Sequence, residues 1–158
     1  MTRRTTQMIR MTLAALAVLS PAAALADEGL TIRDAYVRST NPKTAAAFMV
    51  VENHGATDCR LTGVSSDAAE MVELHTHAEV DGVMKMQKVE GGIAIPAGTE
   101  HALARGGDHV MLMGLTKPLA QGETVALTLD FGDCGTRPIE AALDNDRAEE
   151  GHGGHKGH

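Results

Sequence analysis

The sequence is poor in aromatic residues: Tyr36, Phe48 and Phe131 make up 2% of its 158 residues, and Trp is absent. A base-stacking surface is thereby excluded, and the core must be built from Val, Leu, Ile, Ala and Met. Positive charge is also short, with 14 Lys and Arg against 21 Asp and Glu for a net charge of −7. That balance excludes a nucleic-acid partner, because phosphate binding needs clustered cations to displace counterions. No apolar run reaches the ~20 residues of a transmembrane helix. The chain has no Gly-x-Ser-x-Gly elbow, His-Glu-x-x-His pair or phosphate loop, so it lacks the machinery of the common hydrolases and is read as a non-enzyme.

What is present begins with a targeting segment. Arg3, Arg4 and Arg10 form a basic start, Met11–Leu19 is apolar, and Ala24-Leu25-Ala26 is an A-x-A cleavage signal. Residues 1–26 therefore read as a signal peptide, the mature chain starts near Asp27, and the destination is the periplasm. Cleavage leaves 11 basic against 21 acidic residues, a soluble, acidic protein. Cys59 and Cys134 remain after cleavage, and an oxidising compartment permits a disulfide between them.

Residues 27–143 read as one all-β domain. Short alternating or β-branched runs recur between turn residues. Expected strands are Leu30–Arg38, Ala46–Asn53, Arg60–Ser65, Met71–Val80, Val83–Val89, His101–Arg105, His109–Gly114, Thr124–Phe131 and Thr136–Ala142. Asp81-Gly82 is a two-residue hairpin signal, since such a turn needs positive φ and Gly accepts it. Residues 144–158 form an acidic, then Gly/His-rich tail without apolar residues, which is expected to be disordered.

The chemistry concentrates in segments rich in His and Met. Alternation places His75 and His77 on one face of their strand, Met84 and Met86 on one face of the next, and His109, Met111 and Met113 together on a third. Imidazole suits copper in either oxidation state, whereas a neutral thioether is a soft donor that favours Cu(I) over Zn(II), Mg(II) or Ca(II). Met residues more often fill cores than bind metals. Met49, Met71 and Met84 are assigned that role.

The residues from Asn41 to about Leu129 resemble the periplasmic copper chaperones of the PCu(A)C type, whose ligands follow an H-x10-M-x21-H-x-M pattern. His75 and Met86 match its first half, and His109 and Met111 its second. Between the halves this chain has 22 residues rather than 21, one extra that Gly91-Gly92 or Gly106-Gly107 can absorb. Lys43–Met49, Val51–Gly55, Gly82–Met86 and Met111–Leu115 extend the likeness. The resemblance implies a cupredoxin-like Greek-key β-sandwich, Cu(I) held by His75, Met86, His109 and Met111, and delivery to a copper-accepting oxidase subunit or assembly factor. His77 and Met113 fall off the pattern, so His77 is assigned an accessory role and Met113 a core one. His152, His155 and His158, three residues apart in the tail, form a separate candidate site for Cu(II).

Two other binding functions share these features. A blue-copper electron carrier needs a Cys ligand beside two His and an axial Met, yet after Cys134 no His occurs before the tail. Copper storage or sequestration requires the same ligands as chaperoning, and only transfer separates the two.

Overall fold

The computed structural model describes residues 29–148. The expected signal peptide and the tail histidines His152, His155 and His158 lie outside these residues. Eleven strands follow in order: β1 Leu30–Asn41, β2 Thr44–Asn53, β3 Cys59–Leu61, β4 Gly63–Ser65, β5 Ala69–Val80, β6 Val83–Lys88, β7 Ile93–Ile95, β8 Glu100–Leu103, β9 His109–Leu115, β10 Thr124–Asp130 and β11 Thr136–Leu143, with a 3-10 turn at Gly132–Cys134. The fold is the all-β, cupredoxin-like one expected. Strand pairing runs β4-β10-β11-β1-β2-β9-β5-β6, with β8 also on β2, and β3 pairs with β7 separately. β1 and β11 are parallel, while the other pairs are antiparallel.

Two of the expected strand assignments need correction. β7 was not expected: at three residues it is too short for alternation to show. The run expected over Arg60–Ser65 is two strands in different sheets, because at Thr62 the chain leaves β7 for β10, donating its backbone N–H to the Asp130 carbonyl at 2.8 Å.

The core is aliphatic as composition demands, with Val37, Ala47, Val51, Leu61, Ile95, Val110, Leu112 and Leu129 fully buried and Phe131 the one aromatic among its largest members. Met49 is in this core, but Met71 (53% exposed) and Met84 (60% exposed) are not, and Met113 is partly exposed. All three lie on the outer face of their strands. A disulfide joins Cys59 on β3 to Cys134 in the 3-10 turn, with Cα atoms 5.9 Å apart.

Residues 144–148, assigned to the tail by composition, lie against β1. The Asp144 N–H donates to the Val37 carbonyl, the Asn145 side chain bonds both the N–H and the carbonyl of Ser39, and the Arg147 guanidinium sits 4.5 Å from the Tyr36 ring centre. These pairings satisfy the first polar groups beyond the last strand, so chain order extends further than hydrophobicity alone suggests.

Candidate metal centre

The centre lies on the outer face of the β2–β9–β5–β6 layer. Asp81 and Gly82 have φ of 54° and 76°, the double positive-φ geometry of a tight hairpin. They set Val80 opposite Val83 and thereby His77 opposite Met86 and His75 opposite Lys88. On the other side of β5, His75 is opposite His109, Glu73 opposite Met111 and Met71 opposite Met113. Residues directly opposite across a ladder share a face. The two halves of the motif are therefore brought side by side on one face.

His109 is the most enclosed donor, at 4% exposure. Its ring lies 6.1 Å from Phe48, 6.0 Å from His75 and 5.3 Å from His77. Nδ1 is 3.1 Å from the Gly107 carbonyl; since a carbonyl only accepts, Nδ1 carries the proton. Burial pushes the imidazole pKa down, opposed by that hydrogen bond and reinforced by His77 and His75. The ring is then neutral, and Nε2 presents a lone pair. That lone pair faces Met86 Sδ at 3.2 Å. Two electron-pair donors thus converge with no proton between them, an arrangement able to receive a cation.

His75 is oriented by a carboxylate. Its Nε2 donates to Glu73 Oε2 at 3.0 Å, and Lys88 Nζ donates to Glu73 Oε1 at 2.8 Å. These two hydrogen bonds, His75 first, hold the Glu73 carboxyl below its ordinary range. The other ring nitrogen, His75 Nδ1, is buried without a hydrogen-bond partner. A buried polar nitrogen left unpartnered costs free energy unless something engages it. A carboxylate behind a ligating histidine fixes both tautomer and ring direction.

The remaining expected residues are distributed around this pair. Met111 is on the same face, one rung along β9 and opposite both Ala46 and Glu73. Met86 is half-exposed and forms the rim. His77 shares the Gly107 carbonyl, with Nδ1 at 3.4 Å, and stacks near His109. His101 and His54 turn away to carboxylates of Asp108 and Glu52. Sequence reasoning missed Glu73, Lys88 and the Gly107 carbonyl as parts of the site; the same-face spacing of Glu73 and His75 was the available signal.

Among the described residues, no group of three or more His, Cys, Asp or Glu is arranged to hold a metal. The donors that do converge are imidazole and thioether, a set suited to a soft ion.

A family model described as "Putative lipoprotein LpqE-like" matches residues 30–143, all eleven strands. The chain is 38% identical over 112 residues to "Putative lipoprotein Lxx21020" of Leifsonia xyli subsp. xyli (strain CTCB07), covering 71% of this chain and 68% of that protein. Among solved structures it is similar to CuI-DR1885 from Deinococcus radiodurans, at 33% identity and TM-score 0.56 over 79% of this chain and 83% of that one. It is also similar to the copper-bound PCuAC domain from PmoF2, at 25% identity and TM-score 0.60 over 73% and 92%. The chain shares the fold of those domains and belongs to the LpqE-like family.

Proposed function

We propose that this protein is an exported copper carrier that binds Cu(I) through His75 Nδ1, His109 Nε2, Met86 and Met111 and passes it to an acceptor serving copper-site assembly in a respiratory oxidase. The observation that carries the reading is the placement of the donors: His109 Nε2 faces the Met86 thioether at 3.2 Å, and His75 Nδ1 is buried without a partner. The copper-bound structures it resembles support the choice of metal, and the family and the relative described as putative lipoproteins support export.

The chain's residues divide the work. Glu73 accepts from His75 Nε2 and the Gly107 carbonyl from His109 Nδ1, so each hydrogen bond orients its ring and leaves the other nitrogen as the one that would hold the ion. Neutral thioethers add no charge and cannot be oxidised to a disulfide, and they prefer Cu(I). Met86 at the rim is the ligand an acceptor reaches first, which suits transfer by stepwise ligand exchange. Both cysteines are held in the disulfide, so neither supplies the thiolate of a blue-copper centre. The tail histidines His152, His155 and His158 are proposed as a separate site for Cu(II).

A Cu(I) competition titration of the full chain under anaerobic, reducing conditions tests the carrier reading. One tight equivalent is expected, weakened in Met86→Leu and lost in a His75→Ala/His109→Ala double variant. Unchanged affinity in both would overturn the reading. Transfer to the soluble copper domain of an oxidase subunit tests delivery, and full retention of copper by the loaded protein would point to storage.

A further inference from the structure

Five of the six methionines from residue 49 onward lie on one face, and the hairpin and His109 involve only some of them. Above Met111 on the same ladder, Met71 of β5 stands directly opposite Met113 of β9. Met71 is 53% exposed and Met113 partly exposed. Neither fills the core, whose neighbouring positions are taken by Val72 and Leu112 on the opposite face. Solvated strand positions ordinarily carry polar or β-branched residues. Two thioethers in register at such positions gain little from packing.

Direct cross-strand neighbours have Cβ atoms about 5 Å apart, within reach of two flexible thioether side chains. Successive same-face residues lie about 7 Å apart along a strand. Met111 is therefore one rung from Met113 and one rung from His109. The three rungs read His75/His109, Glu73/Met111 and Met71/Met113.

We propose that Met71 and Met113 form a second, weaker site for a soft monovalent cation of the Cu(I) class, joined to the His–Met centre through Met111. This inference rests on the carrier reading and extends it. An all-thioether site holds Cu(I) by soft donation alone, without the stronger imidazole donors, so it fills after the His–Met centre and releases first. It gives the ion a second position on the open face, reached by exchanging one ligand at a time while Met111 stays bound. The transfer involves no change in oxidation state.

The test is a titration of the full chain carrying 13C-methyl methionine with Cu(I) supplied anaerobically, followed by NMR. The first equivalent is expected to move the Met86 and Met111 methyl signals, and further Cu(I) the Met71 and Met113 signals together. In Met71→Leu/Met113→Leu, which nearly conserves volume, the first step should persist and the later shift of Met111 should disappear. Met71 and Met113 signals that stay fixed while Met86 and Met111 move would overturn this inference and leave the carrier reading intact. If Met71 and Met113 move while Met86 and Met111 stay fixed, those two thioethers bind Cu(I) alone, and both the link through Met111 and the carrier reading fall. No movement at any of the four overturns both. Because the wild-type signals decide the matter, a variant that fails to fold does not obscure the result.

Discussion

The two faces of the β9–β5 ladder use side chains of similar size for opposite ends. Inward, Leu74, Val110 and Leu112 are buried; outward, at adjacent positions, are Glu73, His75, His109, Met111 and Met113. Leu and Met are close in volume, so the choice between them on the two faces is one of chemistry. Inward, an aliphatic side chain contributes burial and packing. Outward, sulfur contributes an electron pair. Function here is assigned by parity along a strand, and neighbours in sequence belong to different tasks.

The largest effect should come from attacking the inner face. Leu112→Ala should cost about 2–5 kcal/mol of stability through lost burial and the cavity it leaves, measured by denaturant unfolding. Met113→Ala, one residue on, should cost less than about 1 kcal/mol because the side chain is already partly in water. Equal costs would erase the distinction between the faces. Next in size is the Cys59–Cys134 bond, which closes a sequence separation of 75 residues. Replacing both cysteines with alanine should lower stability by about 2–4 kcal/mol. Cu(I) affinity should be unchanged, since neither cysteine-bearing element supplies a donor. A parallel fall in affinity would mean that the core and the site are not separable. Smaller in free energy but confined to the outer face is Glu73→Gln. It keeps the shape of the side chain and removes the charge that orients His75 and holds Lys88. Cu(I) affinity should fall by about 10–100-fold with little change in Tm; an unaltered affinity would leave Glu73 as a plain surface ion pair.

Much of the site was legible because its determinants are local. Asp81-Gly82 announces the hairpin and fixes which residues of β5 meet β6, and alternation sorts the His residues onto one face. The placement of β9 against β5 is a long-range pairing. No local pattern encodes it, and the likeness of the ligand spacing to a known family stood in for it. Met71, Met84 and Met113 were misplaced because methionine is apolar and does not betray which face it occupies. Their parity with His75, Met86 and His109 carried the answer, and Glu73 could have been found in the same way. β7 was too short to show a period, and the break at Thr62 depends on a partner 68 residues away.

The smallest expected effect tests whether the turn serves the site or only the fold. Gly82 has φ of 76°, and a Cβ placed there would meet nothing within 4 Å; Gly98, in the connection between β7 and β8, has φ of 73° and the same open space. Alanine at either position therefore carries the same backbone cost, about 1 kcal/mol for holding an L-residue in the left-handed region, with no clash to complicate it. Their consequences for metal should differ. β6 is an edge strand paired only with β5, and Met86 reaches His109 only while that pairing is in register. Gly82→Ala should thus weaken Cu(I) binding by a few-fold, about 0.5–1 kcal/mol, as the hairpin frays, whereas Gly98→Ala should lose comparable stability and bind Cu(I) as tightly as before. Equal affinities in the two variants would show that Met86 is held by its contact with His109 and owes nothing to the turn.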